Sequence, residues 1–160
     1  MRLDMLKRCI LISILMILVL CAFVHPASAQ GESWSLGGGY FTLPNVDTQD
    51  GTIKSSGIYA CAQMRSPTYV LEADYGIDDP GFLVIAADYL YPLSAGESYG
   101  GKSFVGAGYT YFSSDTLDNE QGMNLIAGME FGSGLQGSLR YDFLGGDQEM
   151  ITVGITYVFQ

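Results

Sequence analysis

Histidine, the side chain best suited to moving protons near neutral pH, occurs once, at His25. It lies in an N-terminal stretch with the marks of a removable leader, and so do Cys9 and Cys21. Beyond that stretch Cys61 is the one cysteine. No intramolecular disulfide, no histidine-based or cysteine-based metal site and no histidine-assisted nucleophile is therefore expected. Cys61 alone reads as a buried, inert thiol. The remaining chemistry is carboxylate and guanidinium. Glu72, Asp74, Asp88, Glu130, Arg140 and Asp142 share one face of the alternating segments described below. Arg140 is the only base of that set, so it should pair with one or two acids, first Glu130 or Asp142. Removing a partner from a buried ion pair costs on the order of 3–5 kcal/mol, which makes such pairing close to obligatory. The set reads as a structural plug, with a gated ion path or proton relay as the alternative. No paired-carboxylate motif stands out, so no catalytic residue, cofactor or enzyme activity is expected. Asp47-Thr48-Gln49-Asp50-Gly51 approaches a calcium loop but lacks its full ligand spacing, and a solvated negative loop is the expectation there.

The leader itself is plain. Arg2, Lys7 and Arg8 precede an apolar run from Cys9 to Val24, and Ala27-Ser28-Ala29 follows. That order is a secretory signal peptide, residues 1–29, leaving one domain over 30–160. The bulky Leu18-Val19-Leu20 before Cys21 is unlike a lipoprotein leader. Beyond residue 29 only Lys54, Arg65, Lys102 and Arg140 are basic, against sixteen acids, for a formal charge of −12. Four bases cannot coat a phosphate backbone, which excludes nucleic acid as a partner.

These residues sit on strands. About eight segments of ~8–11 residues alternate apolar and polar, each bounded by turn residues. They fall near 33–42, 56–64, 68–75, 81–91, 102–112, 122–131, 135–144 and 149–159. Pro44, Pro67, Pro80 and Pro92 lie at or beside the proposed turns, where a missing N–H is tolerated. Tight connections, such as Arg65-Ser66-Pro67 and Gly132-Ser133-Gly134, gather at one end. Acidic ones gather at the other, carrying Asp47 and Asp50, Asp78 and Asp79, Asp115, Asp118 and Glu120, and Asp147. The connection Pro92 to Gly101 is longer than this pattern predicts. Gly37-Gly38-Gly39-Tyr40 in the first segment is echoed by Gly106-Ala107-Gly108-Tyr109 in the fifth.

Alternation alone fits a soluble barrel or a membrane barrel, which differ in the face turned outward. In the seventh segment Leu135, Gly137, Leu139, Tyr141 and Phe143 oppose Gln136, Ser138, Arg140 and Asp142. The eighth sets Ile151, Val153, Ile155, Tyr157 and Phe159 against Thr152, Gly154 and Thr156. In the third, sixth, seventh and eighth segments the polar face is rich in small groups and has no lysine, unlike a soluble exterior. In the fourth segment Phe82, Val84 and Ala86 share the parity of Asp88 and fit this division less well. Aromatic residues on the apolar face sort by depth. Tyr40, Tyr75, Tyr109, Tyr111, Tyr141 and Phe143 lie toward the acidic end. Trp34, Tyr69, Tyr89, Tyr91, Phe131, Tyr157 and Phe159 lie toward the tight-turn end. Aliphatic residues separate them. Two aromatic girdles around an aliphatic band are what a bilayer-spanning barrel requires.

The chain resembles the small eight-stranded outer-membrane barrels of diderm bacteria, the OmpA transmembrane-domain and OmpX-like group. The resemblance covers 33–159 and rests on strand number, girdles, loop asymmetry and the last strand. Ile151-Thr-Val-Gly-Ile-Thr-Tyr-Val-Phe159 is similar to the group's C-terminal assembly signal, except that Gln160 follows the aromatic. It implies an all-β, eight-stranded antiparallel up-and-down transmembrane barrel in the outer membrane, inserted by the barrel assembly machinery. The expected partners are outer-membrane lipid and that machinery, with an unnamed loop partner and a monomeric state. No peptidoglycan-binding segment follows Phe159, so tethering to the wall is not expected. The expected role is structural or surface interaction through acidic extracellular loops. The alternatives are a narrow pore for ions or small solutes and a secreted lipocalin-like ligand-binding barrel.

Overall fold

A computed structural model of the chain describes residues 32–48, 51–78, 81–93, 101–114, 117–145 and 148–159. The leader, the loop acids Asp50, Asp79, Asp115 and Asp147, and most of the connection between Pro92 and Gly101 lie outside the described residues. Eight strands follow one another: β1 Ser33–Thr48, β2 Gly51–Arg65, β3 Tyr69–Gly76, β4 Phe82–Leu93, β5 Gly101–Ser114, β6 Glu120–Phe131, β7 Leu135–Phe143 and β8 Glu149–Phe159. Each pairs antiparallel with the next, and β8 returns to β1, closing a barrel.

Local chemistry sets the turns. At β2–β3 the Ser66 hydroxyl accepts hydrogen bonds from the Thr68 and Tyr69 amides, at 3.2 and 3.1 Å, and Pro67 gives up no needed donor. At β6–β7 the chain reverses through Gly134, whose φ of +80° suits a residue without a Cβ.

Two boundaries differ from the sequence expectation. β1 and β2 run past 42 and begin before 56, pairing out to Thr48 and Gly51. Asp47, expected in a loop, is a β1 residue opposite Thr52. The ladder shifts between Leu43 and Val46, where Pro44 cannot donate, so the strand bulges and continues instead of ending. Glu120, likewise expected in a connection, opens β6.

The strands are strongly staggered. The ladders lead from Trp34 through Met64, Leu71, Ala87, Tyr109, Met123 and Phe143 to Glu149. Trp34 itself pairs with Phe159, ten residues along β8 from Glu149. Closing eight strands requires such a shear, and eight strands leave an interior only wide enough for side chains.

The polarity is inside out relative to a soluble protein. Large apolar side chains face outward, among them Met123, Tyr89 and Ile155, exposed to 65, 66 and 59%. Glu72, Asp74, Asp88, Asn124, Arg140 and Asp142 are buried within. The interior is layered. Toward the long-hairpin end Phe41, Leu43, Tyr59, Phe82, Val84, Phe112, Leu144 and Met150 form an apolar layer. The Phe82 ring packs edge-on against Phe41 at 4.5 Å and stacks on Phe112 at 5.7 Å. Toward the tight-turn end Val70, Leu90, Phe104 and Ile126 form a second. Phe82, Val84 and Ala86 thus face inward, as their parity requires, and they are apolar because that depth of the lumen is a packed core.

Candidate functional site

The site begins with a spacing on β3. Glu72 and Asp74 stand two residues apart, so the pleat turns both carboxylates inward, roughly 7 Å apart along the strand. Across the lumen β7 presents Arg140 and Asp142 by the same rule. The planar guanidinium spans the gap. Its NH1 donates to Glu72 Oε1, NH2 donates to Asp74 Oδ2 at 2.6 Å, and Nε donates to Asp142 Oδ2 at 3.1 Å. All four side chains are almost wholly buried, with Arg140 1% exposed. A rigid fork of N–H donors suits this arrangement in a way that a lysine ammonium would not.

Neutral groups extend the network in both directions. Asp142 Oδ1 accepts from the Thr110 hydroxyl at 2.6 Å, and Thr110 Oγ1 accepts from Asn124 Nδ2 at 2.7 Å. On the other side Glu72 Oε2 accepts from Gln63 Nε2. Gln63 Oε1 accepts from Ser35 Oγ at 3.0 Å and from Gln136 Nε2 at 3.3 Å. Gln136 Oε1 accepts from Arg65 NH1. A continuous chain of polar groups thus runs from mid-lumen to the tight-turn mouth. There Arg65 lies over the Phe104 ring, 4.2 Å from its centre, and 3.8 Å from Glu130.

Of the six charges expected inside, Glu72, Asp74, Asp88, Arg140 and Asp142 are buried, and Glu130 is half-buried on the same face. Arg140 meets Asp142, one of its two expected partners. The other, Glu130, does not meet it. Glu130 opposes Gln136, whereas Arg140 opposes Ile126, so Glu130 lies two inward positions nearer the mouth and faces Arg65. Arg65 is therefore a second inward base that the inward-charge set omitted. Asp88 is buried with neither carboxylate oxygen hydrogen-bonded among the described residues. The lumen's polar accounting is one-sided, because three carboxylates share one guanidinium.

The outer wall holds the aromatic residues. Tyr40, Tyr69, Tyr89, Tyr91, Tyr109, Tyr111, Phe131, Phe143, Tyr157 and Phe159 are exposed, and Trp34, Tyr75 and Tyr141 are half-buried. Trp34 stands opposite Phe159, and Tyr69 opposite Tyr89. Tyr141 and Phe143 touch at 4.6 Å between ring centres, and Tyr157 and Phe159 at 5.3 Å. Of the loop acids, Asp118 is exposed, while Asp78 turns back to accept from the Ile58 amide at 2.8 Å.

No protein-family model matches the chain, and no curated protein is similar to it in sequence. Solved structures are similar in fold. Neisserial surface protein A (NspA) aligns at 13% identity over 81% of this chain and 96% of its own, with a TM-score of 0.57. The N-terminal β-barrel domain of Pseudomonas aeruginosa OprF aligns at 16% identity over 81% and 98%, with a TM-score of 0.49. The outer membrane enzyme PagL aligns at 11% identity over 81% and 99%, with a TM-score of 0.46. The first of these likenesses establishes the fold, a closed eight-stranded antiparallel barrel.

Proposed function

We propose that this chain is an outer-membrane barrel that acts at the cell surface, as a structural or surface-interaction protein, through the connections at its acidic end. The observation that carries the reading is the polarity: an apolar, aromatic-rich wall around a lumen filled by an ion-paired network and two apolar clusters. An apolar exterior of this extent would aggregate in water and is stabilised by hydrocarbon. The aromatic residues at its two ends would sit at the headgroup level, where amphipathic rings are favoured.

On this reading residues 1–29 direct export and are removed, and β8 supplies the signal read by the assembly machinery. The barrel stands as a monomer in outer-membrane lipid. Its work is not enzymatic. No histidine lies beyond residue 29 to assist a nucleophile, and Glu72, Asp74, Asp88 and Asp142 are enclosed in the lumen, away from any substrate.

Planar-bilayer recording of the refolded chain tests the reading against a pore. We expect no steady open events, because Phe41, Phe82 and Phe112 fill one layer and Arg140 bridges the next. Steady single-channel openings would replace the surface reading with that of a narrow pore.

A further inference from the structure

We propose that Cys61, Glu72 and Asp74 form a buried site for one thiophilic divalent cation of the zinc class. Cys61 on β2 stands directly opposite Asp74 on β3, and Glu72 is the next inward residue along β3. The thiol sulfur and one oxygen from each carboxylate lie within 4.8 Å of one another, and all three residues are buried. Ligand atoms around tetrahedral zinc lie ~3.5 Å apart at Zn–S and Zn–O lengths of about 2.3 and 2.0 Å, so modest side-chain rotations close the trio on an ion.

The polar accounting points the same way. Arg140 engages Glu72 through Oε1 and Asp74 through Oδ2. Asp74 Oδ1 is fully buried and has no hydrogen-bond partner among the described residues. A buried carboxylate oxygen without a donor is costly, and a cation supplies what is missing. The surroundings agree: the carboxyl groups of Glu72, Asp74 and Asp142 gather around one guanidinium, that of Arg140. A divalent ion would add positive charge there, taking Asp74 Oδ1, the Cys61 sulfur and an oxygen of Glu72 as ligands.

The sulfur decides the class of ion. Calcium and magnesium favour all-oxygen shells, whereas a thiolate with carboxylates suits zinc, cobalt or cadmium. Binding displaces the thiol proton, which leaves to solvent, and forms a metal–sulfur bond. The apolar layer of Phe41, Phe82 and Phe112 encloses the lumen on one side, so the ion would be loaded as the barrel closes.

Cobalt is the probe, because a cobalt–thiolate bond gives a sulfur-to-metal charge-transfer band in the near ultraviolet. The full chain is refolded into detergent micelles with Co²⁺, and folding is verified by the heat-dependent gel shift. The site predicts one cobalt per chain, the charge-transfer band, and its loss in folded Cys61→Ser. Asp74→Asn, compared in its folded fraction, should weaken cobalt binding by ~10-fold or more, the scale of losing a metal-site partner. Folded wild type without the band at saturating Co²⁺ overturns the proposal, as does a band that survives in Cys61→Ser. Should Cys61→Ser fail to fold, Cys61→Ala gives the same comparison, and the wild-type spectrum and metal content decide by themselves. Unchanged cobalt affinity in Asp74→Asn would remove the carboxylate from the site and also overturn it.

Discussion

Arg140 is the cation on which the mid-lumen rests. It is 1% exposed and holds three carboxylates, two of them from across the barrel. Arg140→Ala would leave those charges buried without a counter-ion, and breaking a buried pair costs ~3–5 kcal/mol. The expected outcome is a clear drop in unfolding temperature in detergent, and an unchanged melt would mean that Arg140 carries no load. Thr110 gives a graded companion. Thr110→Val keeps the shape but strips a donor from Asp142 Oδ1 and an acceptor from Asn124. A loss of about 1–3 kcal/mol is expected from the groups left unsatisfied, measured by the same melts. At this scale the sequence was half legible. Period-2 parity identifies Glu72, Asp74, Arg140 and Asp142 as inward, because the pleat is local. It cannot choose partners, because Arg140 and Glu72 are 68 residues apart and meet only through the stagger of a closed sheet.

Among the strands, very close approaches occur at glycines of the two echoed segments. A Cβ at Gly39 would lie 2.0 Å from the Val153 carbonyl oxygen, across the β1–β8 seam that closes the barrel. One at Gly108 would lie 2.1 Å from the Ala87 carbonyl oxygen and 2.2 Å from Asp88 Oδ1. The echo therefore has a steric content: in both segments alternate inward glycines let neighbouring backbone and side chains come close. Gly39→Val should sharply lower the folded fraction on refolding, read as the faster-migrating band on an unboiled gel. Gly137→Val, on the outward face with no described atom within 4 Å of its Cβ, should fold as the wild type does. Equal yields for the two variants would remove the seam from the folding argument. Strand number and order were readable from alternation and turn residues. The extension of β1 to Thr48 was not, because Pro44 signals a break and the fold absorbs it as a bulge.

For the whole molecule, the outer wall makes a claim about solvent. Trp34 is the only tryptophan of the chain and lies on the outer surface opposite Phe159. In vesicles its fluorescence should be quenched more by lipids brominated near the headgroup than by lipids brominated at the chain ends. The reverse order would move it out of the interfacial girdle. Composition made the inversion visible in sequence, since a polar face so poor in lysine and an apolar face of graded aromatics do not belong to a water-exposed barrel. The layering of the lumen was less visible, because Phe82 and Val84 look alike whether they face lipid or a packed interior. The most direct test of the membrane-barrel account is the state of the chain in a cell envelope. It should stay with the membrane pellet through alkaline carbonate, require detergent for extraction, and migrate faster unboiled than boiled. Release into the soluble fraction without detergent, with one band position regardless of heating, would contradict the account.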